Sequence, residues 1–157
     1  MFHPYLLKEY KGRFYVLGYS EARSNVIILA LDRIESVGDD MAVPYKPNTS
    51  LQANEYFKHT LGITIGDGPV EDVILWFTPS LGHYIKTQHL HTTQQVIEDN
   101  SEGLVIRLQL IVNYELISLL LSHCPQVSVI QPLSLRNKLD ELLVKGREVN
   151  GKRSLGH

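Results

Sequence analysis

The sequence predicts an α+β protein in two parts, an antiparallel β-meander followed by a ferredoxin-like, split β-α-β-β-α-β arrangement. Three strand-like runs separated by turn-like segments lie at the start of the 157-residue chain. After a break at residues 66–69, strand-like runs alternate with runs of helical periodicity. We place the domain boundary in that break. Residues 1–68 then form the first domain, residues 69–148 the ferredoxin-like domain, and residues 149–157 a flexible polar tail.

The meander consists of three predicted strands, at residues 3–10, 13–19 and 26–34. A short glycine-containing turn joins the first two strands, and a longer polar turn joins the second to the third. The middle strand alternates, which gives its two faces different chemistry. One face carries Phe14, Val16 and Gly18, and the other carries Arg13, Tyr15, Leu17 and Tyr19. The second face combines a guanidinium with phenols, so it is the candidate binding surface.

A turn-rich connection over residues 38–50 leads to a helix predicted at residues 51–61. Ser50 is its expected N-cap, and Gly62 is expected to end it.

The second part continues with elements of strand and helix periodicity in turn. The predicted order is a strand at 71–77, a short helix at 81–87, strands at 92–98 and 104–112, a helix at 114–121 capped by Asn113, a strand at 126–131 and a helix at 132–148. This order of elements, without reference to any family, is what indicates the ferredoxin-like arrangement.

The overall composition restricts the class of protein. A net charge of -2 argues against a surface devoted entirely to nucleic acid, although a local basic site remains compatible with it. The single cysteine, Cys124, has no partner for an internal disulfide and is interpreted as a reduced thiol. Neither a bilayer-spanning apolar run nor a signal-like N-terminus is found, so we expect a cytoplasmic protein.

Catalytic motifs find no support in the sequence. It contains no G-x-S-x-G pattern, Cys124 lacks an identifiable activating partner, and residues 62–68 lack the spacing and lysine of a phosphate loop. A metal site on His83, His89 and His91 is weakly indicated, because no cysteine or suitably spaced carboxylate accompanies them. We therefore expect neither an enzyme nor a bound cofactor or metal. A histidine with a shifted pKa in a deep pocket near these three residues would instead indicate an enzyme.

The meander carries a family resemblance. The pattern P-x-x-L, G-R-F-Y-V-L-G-Y and L-D-R-I, which begins at Pro4, resembles the WYL domain of bacterial transcriptional regulators. The family's Trp-Tyr-Leu triplet is Phe14-Tyr15-Val16 here, and residues 32–34 match its closing motif. The resemblance extends to the C-terminus. It implies a small Sm-like or SH3-like β-barrel, here partial, followed by a ferredoxin-like C-terminal extension.

The resemblance also implies a ligand-sensing pocket that contains Tyr15 and Arg33, with Arg13 beside them. Its ligand is negatively charged, and in some family members it is single-stranded nucleic acid. Phenols stack on bases and guanidinium groups bind phosphate with two hydrogen bonds, so the residue types fit. One departure is Ile27, which stands where many members have an arginine six residues before the closing arginine.

A structural alternative exists for the same residues. Tyr15 would then pack between barrel and helix, and Arg33 would pair with Asp32 or Glu35.

The second domain contributes three further candidate ligand-binding residues, His91, Gln94 and Arg107. The segment 84–94 resembles a recurrent segment of the C-terminal extension, in which His91 and Gln94 occupy matching positions and Thr93 replaces a serine. Arg107 lies on the outer face of a predicted central strand, where it adds a cation next to His91. The alternative for Arg107 is a solvated strand residue.

The resemblance implies a partner as well. Family members usually begin with a DNA-reading helix-turn-helix and further barrel strands, whereas the matching position here is already Pro4. The chain therefore resembles the C-terminal part of a regulator. A barrel that lacks strands has open edges, and open edges recruit partners. We expect a homodimer formed by strand or segment exchange, at the barrel strands first and at the helix 114–121 second. The expected function is ligand sensing and oligomerisation, and the alternative is a structural dimerisation module without a ligand site.

Overall fold

The computed structural model describes residues 1–38, 42–49 and 51–152. Its contacts divide the chain into two compact units, Met1–Tyr56 and Phe57–His157. Residues 57–68 group with the second unit by their contacts, whereas the sequence suggested a division after residue 68. The position of the domain boundary stays a prediction.

The first unit is built on a three-stranded antiparallel sheet of β1 (Phe2–Tyr10), β2 (Arg13–Ser20) and β3 (Asn25–Ala30) in meander order. Lys11 and Gly12 join β1 to β2 with φ angles of 51° and 73°. Two consecutive positive φ values are typical of the two-residue turn that matches the twist of a hairpin. The predicted meander is present, and its membership of a barrel stays a prediction.

The third strand is shorter than predicted, because it ends at Ala30 and not at Ile34. Leu31–Arg33 forms a 3-10 turn, closed by a bond from the Ile34 N–H to the Leu31 carbonyl (3.3 Å). Ala30 pairs with Tyr15, which is two residues from the start of β2, so little of the partner strand remains for pairing. Asp32 and Arg33 therefore lie in a turn and not in a strand.

The predicted helix at residues 51–61 is also mostly wrong, because α1 comprises only Ala53–Tyr56. The backbone beyond it is used by the second unit: the carbonyl of His59 accepts from the Ile111 N–H (2.8 Å), and that of Leu61 accepts from the Asn113 side chain (2.8 Å). These tertiary bonds compete with helical ones. Ser50, the expected cap, lies outside the described residues.

The second unit contains four strands and three helices. In chain order they are β4 (Val70–Phe77), α2 (Pro79–Thr87), β5 (Gln95–Asn100), β6 (Gly103–Ile111), α3 (Tyr114–Ser122), β7 (Val127–Gln131) and α4 (Leu133–Lys152). The sheet order is β5-β6-β4-β7, with antiparallel neighbours throughout. The third strand of the unit thus lies between its first and second, as the split β-α-β arrangement requires. The α+β class predicted from the sequence is confirmed.

The last helix is longer than predicted. It continues past Glu148 to Lys152, so that residues 149–152 of the expected flexible tail are helical. The rest of the expected tail, residues 153–157, lies outside the part of the chain that the structure describes.

The core of the second unit lies on one face of its sheet, against the helices. The alternation predicted for β6 is present, since Leu104, Ile106, Leu108 and Leu110 are all buried. They pack with the buried residues of β4 and of the helices, which are Val73, Leu75, Phe77, Ile85, Leu116, Leu120, Leu135 and Leu139. Two caps fix the helix starts: Thr78 accepts from the Leu81 N–H, and Asn113 accepts from the Leu116 N–H. None of the helices in residues 1–38, 42–49 and 51–152 is long and apolar enough to cross a membrane.

Candidate functional site

The predicted binding face of the first sheet gains two residues from β1. The pairing of β1 with β2 places Lys8 opposite Tyr15 and Tyr10 opposite Arg13. Directly paired residues of antiparallel strands project from the same face. Each phenol therefore has a cation beside it both across the strands and along its own strand. We call these four residues, Lys8, Tyr10, Arg13 and Tyr15, the hairpin cluster.

A β-bulge decides that Lys8 belongs to this face. Pro4 pairs with Gly18 and Leu6 pairs with Leu17, so the register shifts by one residue between them. The inserted residue reverses the alternation of β1 beyond it. His3 and Lys8 lie an odd number of residues apart and yet share one face.

Positive charge concentrates at the hairpin end of this face. Lys8 is half-buried, and burial lowers the pKa of its ammonium group from the ordinary value. Lys11 in the turn lies with its Nζ 5.5 Å from the centre of the Tyr10 ring, within cation–π distance. The Arg13 guanidinium lies 3.5 Å from the Asp32 carboxylate, and both side chains are largely exposed. Three cations thus lie at the hairpin end of the sheet, and one of them, Arg13, is paired with a carboxylate.

Arg33 lies at the same end of the sheet, in the turn that follows Ala30, and it is exposed. The carboxylate of Asp32 forms its ion pair with Arg13 and not with Arg33. Within the described ranges no ion pair or hydrogen bond of the Arg33 side chain is present. The structure thus brings Arg13, Tyr15 and Arg33 to one end of the sheet.

The opposite end of the face is closed by a buried histidine. His3 is 1% exposed; its Nδ1 accepts from the Lys46 backbone N–H (3.1 Å), and its Nε2 lies 3.1 Å from Glu21 Oε1. Because Nδ1 is an acceptor, the ring proton of the neutral form lies on Nε2 and is donated to Glu21. Lys46 Nζ also contacts Glu21 at 2.7 Å. We call His3, Glu21 and Lys46 the His3 clasp.

Glu21 and Lys46 of the clasp shift each other's pKa values. Hydrogen bonds from Lys46 and His3 hold the pKa of the Glu21 carboxyl below its ordinary value. The bond from Glu21 raises the pKa of the Lys46 ammonium in return. Lys46 Nζ lies 5.0 Å from the centre of the Tyr19 ring, so the segment around it covers that part of the face. Nothing in the local sequence pattern indicates this clasp, since Lys46 is 43 residues from His3.

The candidate face is therefore open only in part. Tyr19 lies under the His3 clasp, and Leu17 in the middle of the face is completely buried. Leu17 and Tyr19 are therefore the less accessible positions of the predicted binding face, and a binding role of this face stays a prediction. The hairpin cluster remains its accessible part.

A groove of about 680 Å³ lies elsewhere in the first unit, between the edge strand β3 and α1. It is lined by Asn25, Val26, Leu51, Gln52, Glu55 and Tyr56. Its volume is within the range of small-molecule sites. Arg13, Tyr15 and Arg33 do not line it, so it is not the pocket that the sequence suggests.

The three candidates of the second unit have different surroundings. Gln94 is held by two backbone bonds: its Oε1 accepts from the Leu90 N–H and its Nε2 donates to the Ile85 carbonyl, both at 2.9 Å. This fixes the loop between α2 and β5 and uses the side chain structurally. His91 is bonded to Thr93 through Nδ1 (2.9 Å).

Arg107 is exposed on the outer face of the second sheet, opposite Ile74 and Gln95. The described part of the chain contains no group of three His, Cys, Asp or Glu side chains placed to hold a metal ion, so His83, His89 and His91 are not brought together as ligands.

Comparison with known proteins gives two family matches. The WYL domain matches residues 1–38, which hold the hairpin cluster and Arg33, and the WCX domain matches residues 69–145. No curated protein matches the chain. A solved structure, proteasome accessory factor B/C (PafBC) of Arthrobacter aurescens, aligns with 98% of the chain at 18% identity and a TM-score of 0.44. The chain spans 23% of that protein. The two family matches together cover most of the sequence, and the chain therefore belongs to the WYL-domain regulators, with a WYL domain followed by a WCX domain.

Proposed function

We propose that this chain is the ligand-sensing region of a WYL-type transcriptional regulator and that the hairpin cluster binds a negatively charged ligand, single-stranded nucleic acid or a nucleotide. The observation that carries the proposal is the alternation of phenols and cations set by the pairing of Lys8 with Tyr15 and Tyr10 with Arg13. A base stacked on either phenol has a cation beside it for its phosphate. The cluster lies on the accessible part of the sheet face, at its hairpin end, which suits an extended strand.

The ion pair of Arg13 does not oppose this role. It joins two exposed side chains at 3.5 Å, and such pairs contribute only about 0–1 kcal/mol. A phosphate that accepts two hydrogen bonds from the guanidinium is a stronger partner than this carboxylate. Arg33, exposed at the same end of the sheet, supplies a second guanidinium to the ligand.

The structure shows where Ile27 lies, the position at which many members of the family have an arginine. Ile27 pairs with Gly18, so it lies on the face opposite the hairpin cluster. Its replacement of an arginine therefore removes no cation from the cluster itself.

The mechanism we propose is allosteric. The ligand would favour one arrangement of two chains over another and so change the spacing of the DNA-reading parts attached to them. The same proposal includes a homodimer formed by strand or segment exchange. It also includes a cytoplasmic location and the absence of catalysis. His91, Gln94 and Arg107 are secondary candidates; of these, Gln94 has its polar atoms already bonded to the backbone.

The second candidate function is a structural dimerisation module without a ligand site. It is favoured by the His3 clasp and by the burial of Leu17, which close part of the candidate face.

Binding of short single-stranded DNA and RNA oligomers, measured by fluorescence anisotropy across a salt series, tests the proposal. We expect micromolar binding that weakens with salt and is lost in Arg33→Ala. Lys138→Ala, which removes an exposed cation of α4, is the matched control and should bind normally. No binding at low salt would leave the dimerisation module as the function.

A further inference from the structure

The two edge strands of the first sheet, β1 and β3, differ in their protection against the addition of a further strand. The β1 strand contains Pro4, a bulge and the charged residues Lys8 and Glu9, all of which discourage such pairing. The carbonyl of Pro4 also accepts a hydrogen bond from the Tyr45 hydroxyl (3.0 Å). The β3 strand has the sequence N-V-I-I-L-A, without proline or charge, and it pairs with β2 in an unbroken register. Its outer side is therefore the unprotected edge.

The hydrogen-bonding pattern of the sheet determines which backbone groups of β3 point to this outer side. The Glu21 N–H donates to the Met1 carbonyl (3.0 Å), so the backbone groups of Glu21 point toward β1. Successive residues of a strand point these groups in opposite directions. Ser20 therefore points toward β3, where it pairs with Asn25. The backbone groups of Asn25, and of every second residue after it, are used within the sheet.

The remaining residues of β3, which are Val26, Ile28 and Ala30, point their N–H and carbonyl groups to the outer side. The Val26 N–H donates to the side chain of Asn25 (2.8 Å). Between the described residues, no hydrogen bond reaches the outward groups of Ile28 or Ala30. These groups are the donors and acceptors that an added strand would use.

The groove of about 680 Å³ lies beside the start of this edge. Asn25 and Val26 of β3 form one of its walls, and residues from Leu51 to Tyr56 form the other. Neighbouring strands of a sheet lie about 4.8 Å apart, so a groove with a wall on each side suits a single extended segment. Glu55 lines the groove, and Arg23 is exposed in the turn before Asn25. Because the two charges are of opposite sign, backbone and apolar contacts have to provide the recognition.

We propose that the outer side of β3 binds an extended apolar peptide segment of another protein, which adds to the first sheet as a fourth strand. The backbone of the peptide bonds to the outward groups of Ile28 and Ala30, and these bonds provide the affinity. Alternate side chains of the peptide enter the groove, where Val26, Leu51 and Tyr56 offer apolar contacts and select the sequence.

A second copy of this chain fits the edge less well than a peptide. Six residues of about 3.3 Å each, paired with a strand about 4.8 Å away, cover only roughly 100 Å² of sheet, whereas a stable interface buries about 800 Å² per partner. The β3 strand of a second copy would also bring β2 with it, and residues 51–56 form the wall of the groove on that side. A peptide has no such attached strand.

This inference is independent of the ligand proposal, because the added strand needs no residue of the hairpin cluster. It also differs from strand exchange between two copies, since the added strand comes from another protein and no strand of this chain leaves its own sheet.

Peptides selected by the full chain from a random library displayed on phage, and then synthesised with a fluorescent label, test the proposal. Hydrogen exchange of the chain with and without such a peptide is the direct readout. We expect the exchange of the Ile28 and Ala30 amides to slow about tenfold or more when the peptide binds. The amides of Ile27 and Leu29, which point toward β2, should change little.

Two variants block the proposed site from opposite sides. Ile28→Pro removes an outward N–H that takes no part in the pairing with β2, so the sheet keeps its own bonds. Gln52→Trp fills the groove from its other wall and leaves β3 unchanged. We expect each variant to weaken peptide binding, measured by fluorescence anisotropy, about tenfold or more. Asn54→Trp, at an exposed position of α1 that does not line the groove, is the matched control and should bind normally.

Three outcomes would overturn the proposal. The first is that no selected peptide distinguishes the wild type from Ile28→Pro and Gln52→Trp. The second is that a bound peptide leaves the exchange of the Ile28 and Ala30 amides unchanged. The third is protection of these amides that rises with chain concentration in the absence of peptide, which would assign the edge to a second copy. Oligonucleotide binding by Gln52→Trp, measured in parallel, reports separately on the hairpin cluster.

Discussion

Lys8 lies directly opposite Tyr15 in the pairing of β1 with β2, and a bulge after Pro4 is what places it there. Without the shift, Lys8 would project from the opposite face of the sheet, the one that carries Phe14 and Val16. The consequence is a half-buried cation with a lowered pKa on the same face as Tyr15, the position of the family's signature tyrosine.

Replacing Lys8 by glutamine tests whether this cation belongs to the binding site. We expect weaker binding of single-stranded oligonucleotides and a salt dependence reduced by about 0.7 in its logarithmic slope, the value for one phosphate contact on a single strand. Anisotropy titrations at several salt concentrations measure both quantities. Lys138→Gln serves as control, and an unchanged slope in Lys8→Gln would remove Lys8 from the site.

The His3 clasp predicts a dependence of local stability on pH. The pKa of Glu21 is lowered in the folded chain, so its ionised form is the one that the fold stabilises. That contribution is fully present above the ordinary value of 4.5 and is lost as the pH falls through the lower folded value. Lys46 Nζ and His3 Nε2 face this carboxylate, and the amide of Lys46 belongs to the same clasp because it donates to His3 Nδ1.

Hydrogen exchange of the Lys46 amide, corrected for intrinsic rates, measures the effect. We expect its protection to decrease below about pH 4.5 in the wild type. Glu21→Gln should show weak protection that changes little across the same range. The control is Glu35→Gln, at an exposed position outside the clasp, which should behave as the wild type. A protection factor that is constant down to the lowest pH would contradict the assignment.

Features that depend on local periodicity were accessible from the sequence. The alternation of β6, the Asn113 cap and the order of elements in the second unit follow from spacing over a few residues. The residues of the His3 clasp and the bulge after Pro4 depend on contacts between distant segments or on a single inserted residue, and periodicity carries no signal for either. The helix expected at residues 51–61 failed for the same reason, since bonds to Ile111 and Asn113 outweigh local helix propensity there.

The residues of the candidate site also differ in whether local sequence or contacts between distant segments reveal them. Arg13, Tyr15 and Arg33 were recognisable by motif, and the structure brings them to one end of a sheet. Lys8 and Tyr10 join them only through strand pairing, which the sequence does not specify residue by residue.

Gln94 illustrates a motif residue whose surroundings favour a structural role. Gln94→Ala removes the partner of the Leu90 N–H and of the Ile85 carbonyl, so we expect the second unit to lose about 1–3 kcal/mol of stability. Urea denaturation followed by the fluorescence of Trp76, which lies on β4, measures this. The neighbouring exposed Gln95→Ala should have little effect. If Gln94→Ala abolished ligand binding at unchanged stability, the residue would instead belong to the ligand site.

Asn113 is a helix cap that also holds a distant segment. Its Oδ1 accepts from the Leu116 N–H (2.9 Å), while its Nδ2 donates to the carbonyls of Leu61 and Thr64, both at 2.8 Å. Aspartate is as good a cap as asparagine, so Asn113→Asp would be harmless if capping were the only role. Here a carboxylate would face two carbonyl oxygens without a proton to donate. We therefore expect Asn113→Asp to be destabilising by about 2–4 kcal/mol, comparable to Asn113→Ala.

The measurement is again urea denaturation followed by Trp76 fluorescence, with the two Asn113 variants compared in parallel. Hydrogen exchange adds a local readout, because release of the Leu61 and Thr64 carbonyls should increase exchange in residues 61–65. Thr78→Asp at the cap of α2 is the matched control for capping alone. The Thr78 hydroxyl accepts from the Leu81 N–H and, in the described part of the chain, donates to the Gln126 side chain and to no backbone carbonyl. An Asn113→Asp variant as stable as the wild type would show that the two side-chain bonds to residues 61 and 64 contribute nothing, and that local capping accounts for the residue.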